Sequence, residues 1–159
     1  MPDEPTTAYH EAGHAVMAHV LGKDFKTVSI LPDGVGAGRI DFKAPVSERS
    51  LEMESIVAVA GVAAEGLATG RLRVILQETP SYLIIADDVH RLTSYLLQTG
   101  IVAEDNIPAF LQRAVMDAVK TLRANWPAVE AVAKALLKEK TISGSRARSI
   151  IAQFRGHHT

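Results

Sequence analysis

The chain has 159 residues, of which 47% are hydrophobic, 22% charged and only 5% aromatic, and its formal charge is −1. That is material for one domain with a sizeable core, and it offers no excess of Lys and Arg to neutralise phosphates, which argues against a nucleic-acid partner. Cysteine is absent, so disulfides and thiolate metal sites are excluded and any metal must take nitrogen and oxygen ligands.

The opening MPDEPTTAYHEAGH is acidic and polar where a signal peptide needs a basic region and an apolar core. No stretch approaches the ~18 uninterrupted apolar residues of a membrane span, so a cytoplasmic chain without a span is expected. A first helix is predicted from about residues 3–5 to Leu21. Asp3 and Glu4 favour the positive helix end, Pro5 suits the first turn and Gly22 is a natural stop. KTVSIL (26–31) alternates β-branched residues and reads as a strand. The glycine-rich LPDGVGAG follows and GRIDF (38–42) returns, together a β-hairpin with a mobile tip.

A second helix is predicted over 50–69, stopping at Gly70. Its run IVAVAGVAAEGLA is small and apolar on most faces, as expected of a central helix that others approach closely. Between 71 and 85, VIL and YLII read as short strands about a turn at 78–81. Helices follow at 86–99, closed by Gly100, then at 107–124 and 127–139, divided by Trp126-Pro127, and a short one near 143–154. With no repeat, low-complexity tract or linker, the expected organisation is a single domain over 1–159, mainly α with a small β-hairpin or sheet. His157 and His158 read as a tail rather than ligands.

His10-Glu11-Ala12-Gly13-His14 is an HExxH sequence inside the first helix. Histidines four apart lie on one helix face, one turn apart, so both imidazoles can reach one ion, and zinc–nitrogen distances of about 2.0–2.1 Å suit that spacing. Glu11 follows the first ligand, where its carboxylate can reach a metal-bound water, take its proton and pass it to the leaving amine. HExxH also occurs by chance, but here Ala12 and Gly13 permit close packing, and imidazoles on an otherwise apolar helix are costly to bury without a partner.

Catalytic zinc needs a third protein ligand and an open position. The extended pattern HExxHxxGxxH fails, because positions 17 and 20 are Met17 and Val20; His19 falls one residue short and reads as a surface or core-edge histidine. The remaining candidates are Glu54, Glu65, Asp87, Asp88 and His90. Asp87 shares a polar face with Arg91, Ser94 and Gln98, and pairs favourably with Arg91 at i,i+4. Asp88 shares a more apolar face with Leu92, Tyr95 and Thr99 and is expected to turn inward. His90 lies about 160° from Asp88 on a helical wheel and cannot easily act beside it. Asp88 is therefore the preferred third ligand.

TTAYHEAGHAVMAHVL resembles the active-site helix of the FtsH peptidase family, the ATP-dependent zinc proteases. KTVSILPDGVGAGRI is similar to that family's strand and glycine loop, VAGVAAEGLATG to its GGRAAE-type helix, DDVHRLTSYL to its NDL-x-x-AT segment and WPAVEAVAKALLKEKTISGSRARSII to its C-terminal helices. The resemblance implies a helical zincin with zinc on His10, His14 and Asp88, and an extended substrate along the edge of the small β-element. Residues 26–31 would offer that edge by strand addition, the alternative being an ordinary edge protected within a homo-oligomer. The chain departs from the family in lacking an ATPase module and a membrane helix, so a stand-alone homologue served by a separate ATPase is expected, the alternative being an excised domain of something longer. TPSYLIIAD before Asp88 is also more apolar and longer than the family's segment.

The expected activity is zinc-dependent endopeptidase hydrolysis of unfolded or extended polypeptides. The alternatives are a non-catalytic, zinc-stabilised peptide-binding or adaptor module, or a regulatory homologue, against which retention of Glu11 counts, and a helical interaction protein with a chance motif. Tyr82, Leu83, Ile84 and Ile85 are read as core, an interface or a lid.

Overall fold

The structure is a computed structural model that describes residues 3–32, 38–43, 50–73 and 87–155. The hairpin tip at 33–37, the expected short strands at 74–76 and 82–85 with their turn, the side chains of Asp87 and Asp88, and His157 and His158 lie outside the described residues.

The first helix, α1 (Glu4–Leu21), starts and stops on the residues that the sequence marks for it. The Asp3 carboxylate accepts a hydrogen bond from the Thr6 N–H at 2.8 Å, Pro5 sits in the first turn, and Gly22 closes the helix in the left-handed conformation at φ 82°. From Thr7 to Ala18 most of its residues are buried, because it packs against the second helix, α2 (Leu51–Thr69), against both strands of the hairpin and against three later helices. A helix so enclosed cannot carry a polar face, which is why Ala8, Ala12, Ala15, Val16 and Ala18 surround the histidines.

α2 lies against α1 at short range. A Cβ added to Gly13 would stand 2.5 Å from the Ala64 Cβ and 2.7 Å from the Ala60 carbonyl oxygen. The small residues of both helices set this approach, and any larger pair would push the helices apart. α2 also packs against α3 (Asp87–Thr99) and α4 (Ile107–Ala124). α5 (Trp126–Glu139) lies against α1, with Tyr9 stacked on Trp126 at 5.7 Å between centroids, and α6 (Gly144–Arg155) closes the far side. Burial, with the nearby Glu130 carboxylate, pushes the Tyr9 phenol up.

The sheet differs from the expected hairpin. β1 (Phe25–Ser29) pairs antiparallel with β2 (Arg39–Phe42) on one side and with β3 (Thr141–Ser143) on the other, in the order β2-β1-β3. Val28 faces Ile40 and Ile142 across the two ladders. The ladder with β2 shifts between Phe25 and Thr27; this bulge changes the phase of the strand, so Phe25 and Val28, three apart, both turn into the core. Two corrections follow. The strand is displaced from 26–31 to Phe25–Ser29, and it is the central strand, so it has no edge to offer a peptide. The fold is otherwise as expected, mainly helical with a small antiparallel sheet. Among the described residues no helix is long and apolar enough to cross a membrane.

Candidate metal centre

His10, Glu11 and His14 stand together midway along α1; among the described residues they are the one cluster of possible ligand groups, with all three ligand atoms within 4.8 Å of one another. His14 is buried and Glu11 nearly so, while the His10 side chain keeps 17% of its surface exposed. One end of the cluster therefore meets solvent and the other is sealed.

α2 orients both rings. The Nδ1 of His14 donates to the Val57 carbonyl at 2.8 Å, and the Nδ1 of His10 donates to the Glu65 carboxylate at 2.5 Å. Because a carbonyl and a carboxylate can only accept, each Nδ1 carries the proton and each Nε2 of a neutral ring presents a lone pair. The two Nε2 atoms face each other at 3.1 Å, and the rings lie edge to face at 72°. Two lone pairs so close repel unless a cation or a proton lies between them. Two zinc–nitrogen bonds of ordinary length at a tetrahedral angle would hold the nitrogens about 3.3 Å apart. The donor set, the tautomers and the spacing thus fit a zinc-type ion.

Val57, Gly61 and Glu65 succeed one another at four-residue intervals on α2, facing His14, the gap between the rings, and His10 in turn. The helices run antiparallel, so rising numbers on α2 meet falling numbers on α1. Partners of this kind fix ring orientation and raise ligand basicity. Glu65, considered from sequence as a ligand, instead accepts a hydrogen bond from His10.

Glu11 lies about a quarter turn from His10, with Oε1 at 3.8 Å from the His10 Nε2. A Cβ on Gly38, at the entry to β2, would stand 3.1 Å from the Glu11 Cγ and 2.8 Å from the Thr7 Cγ2, so the start of β2 closes over this carboxylate. Glu54 is elsewhere: it forms a buried ion pair with Lys23 at 2.7 Å. His19 is half-buried at the end of α1, its pKa lowered by burial and by Arg155 and Arg148, apart from the cluster as the spacing requires. His90 is exposed.

Asp88 falls in the first turn of α3, but its side chain lies outside the described residues. On the Asp88 face of α3 Leu92 is buried, Tyr95 half-buried and Thr99 exposed, whereas on the Asp87 face Arg91 and Gln98 are exposed and Ser94 half-buried.

No family model matches the chain. Individual curated proteins do. The ATP-dependent zinc metalloprotease FtsH of Acidimicrobium ferrooxidans is 26% identical over an alignment covering 98% of this chain and 29% of that protein. FtsH 3 of Symbiobacterium thermophilum is 22% identical, covering 96% and 30%, and FtsH of Leptotrichia buccalis is 29% identical, covering 91% and 23%. The chain spans less than a third of the length of these relatives.

Proposed function

We propose, from the similarity to FtsH proteins and from the histidine geometry, that residues 1–159 form one zinc metallopeptidase domain that hydrolyses peptide bonds of unfolded or extended polypeptides. In this reading His10, His14 and Asp88 hold the metal and Glu11 is the general base. The observation that carries it is the pair of Nε2 lone pairs 3.1 Å apart, each made available by a proton committed at Nδ1.

A bound zinc would supply a Lewis acid that polarises a peptide carbonyl and makes water easier to deprotonate. Glu11 takes the proton of the attacking water on its carboxylate and delivers it to the departing amine nitrogen. Glu65 and the Val57 carbonyl hold the two rings so that neither spends time in the wrong orientation. The extended substrate adds to β2 rather than β1: among the described residues β2 is an outer strand of the sheet, and Gly38 at its entry lies against Glu11. Feeding of unfolded chain by an ATPase belongs to the same proposal, since the relatives are named as ATP-dependent, and self-assembly and action in the cytoplasm are proposed with it.

Two outcomes check this reading. The zinc-loaded chain is expected to cleave unfolded casein, to lose that activity on chelation and to regain it on return of zinc; a chain that binds zinc and casein but leaves casein intact would be a peptide-binding module instead. Asp88→Asn is expected to weaken zinc binding beyond the 10–100-fold that loss of an outer-shell partner costs, whereas Asp87→Asn leaves it nearly unchanged. Equal effects in a chelator-competition titration would remove Asp88 from the ligand set.

A further inference from the structure

Two glycines at the contact of α1 and α2 have no room for a methyl group, yet what stands in the way differs. At Gly13 an added Cβ meets the Ala64 Cβ at 2.5 Å and the Ala60 carbonyl oxygen at 2.7 Å. Both are fixed to the α2 backbone, so the helices themselves would have to separate. At Gly61 an added Cβ meets the Nε2 atoms of His10 and His14, each at 2.5 Å, and the His10 Cδ2 at 2.7 Å. Those are the far ends of two rotatable side chains. They can yield without the helices separating, at the cost of straining their hydrogen bonds to Val57 and Glu65, and in yielding they lose the convergence of their lone pairs.

The position of the missing Cβ is informative in itself. It is equidistant from the two Nε2 atoms, so it marks the α2 wall of the space on which both lone pairs open. Nothing about the helix requires glycine there: Gly61 lies inside α2 with ordinary negative φ, where alanine is the better helix former. A residue that is suboptimal for its helix, and whose absent side chain would collide only with the two imidazole ends among its nearest neighbours, is kept small for the sake of what lies between the rings.

We infer that Gly61 is a positioning residue of the metal centre: by leaving the α2 wall bare it lets His10 and His14 converge on one small ion, and any side chain there closes the site without unfolding the protein. This rests on the zinc reading above. It assigns to α2 a part in the centre beyond the two hydrogen bonds that orient the rings, and it separates the packing role of Gly13 from the metal role of Gly61.

The test compares Gly61→Ala, Gly13→Ala and wild type, each in the full chain. Zinc affinity is read by competition with a chromophoric chelator, and thermal unfolding is followed with and without zinc. Wild type is expected to bind one zinc and to gain in Tm on binding; if it binds none, the zinc reading fails and not this inference. Gly61→Ala is expected to lower the zinc-free Tm by less than Gly13→Ala does, because the strain falls on two ring hydrogen bonds and is partly offset by the better helix propensity of alanine, while its zinc affinity falls by about 100-fold or more and its zinc-dependent rise in Tm disappears. Gly13→Ala is expected to lower the zinc-free Tm. Two-bond ¹H–¹⁵N spectra of the zinc-free protein supply a readout independent of metal: Nδ1-protonated rings in wild type, and altered imidazole signals for His10 and His14 in Gly61→Ala. Wild-type zinc affinity in Gly61→Ala would overturn the inference. So would a zinc-free Tm that falls as far as that of Gly13→Ala, or failure to fold, because either would assign Gly61 to packing.

Discussion

Glu11→Gln is expected to retain zinc at wild-type stoichiometry and to lose peptide cleavage by about 10²–10⁴-fold, the range that a positioned acid–base group contributes. The amide has the shape of the carboxylate but neither takes nor gives a proton near neutral pH. Glu11 is nearly buried and packed beneath the entry of β2, so an isosteric change is the one that leaves its surroundings undisturbed. The prediction also separates two roles that proximity alone does not. Glu11 belongs to the same cluster as the two histidines, but its Oε1 is 3.8 Å from the His10 Nε2, whereas the two Nε2 atoms are 3.1 Å apart. In the proposed reading a group set back in this way, one residue after His10, exchanges protons with water and does not complete the coordination. Zinc lost together with activity would make Glu11 a ligand; zinc and activity both retained would end its role as base. A Tm measured alongside keeps either result from being mistaken for unfolding.

How far the sequence reaches depends on the range of the interaction that decides each feature. α1 was legible almost to the residue because its signals are local: a side-chain cap at Asp3, a proline in the first turn, and Gly22 where the backbone turns left-handed. α2 and α4 to α6 were likewise placed to within a residue or two. β3 was not. Three residues, Thr141–Ser143, carry too little pattern to read as a strand, and only contact with β1, more than a hundred positions earlier, makes them one. Missing it made β1 look like an edge. The bulge near Lys26 had the same effect on the strand limits, since it breaks the alternation from which strands are read.

The site divides in the same way. His10, Glu11 and His14 follow from spacing on one helix. The contributions of Val57, Gly61 and Glu65 depend on the register of α2 against α1, which no local pattern specifies. A trace of it was present: Gly61 and Glu65 are four apart in an otherwise apolar run, the interval that separates the histidines. Once the two helices are known to run antiparallel, that match becomes a pairing. The same register explains why Glu54, also weighed as a ligand, serves another purpose. Low numbers on α2 face high numbers on α1, so Glu54 meets the chain beyond His14 rather than beside it.

What it meets is Lys23, and the largest expected loss of stability follows from that. The Lys23 Nζ lies 2.7 Å from the Glu54 carboxylate, with both side chains nearly buried, and 4.8 Å from the centroid of the Phe42 ring. The Lys23 N–H also donates to the Ala18 carbonyl at 2.8 Å, closing the end of α1. One ion pair thus ties the exit of α1, the first turn of α2 and the last residue of β2. Glu54→Ala takes the carboxylate away from a nearly buried ammonium, and a cost of up to about 3–5 kcal/mol is expected in urea unfolding, as for other buried pairs with one partner removed. Removing both charges should cost far less. In Lys23→Met with Glu54→Leu the desolvation penalty of two ions disappears along with their attraction, and most of the lost stability should return. The cycle separates the two explanations for a destabilised Glu54→Ala: an uncompensated charge is relieved by the second substitution, a packing defect is not. If Glu54→Ala alone costs under about 1 kcal/mol, the range of exposed pairs, water reaches Lys23 and the tie is loose. With the tie intact, α1 is held at both flanks of its histidines, by Lys23 beyond them and by the stacking of Tyr9 on Trp126 before them. That rigidity holds the two Nε2 atoms 3.1 Å apart, the convergence on which the proposed centre depends.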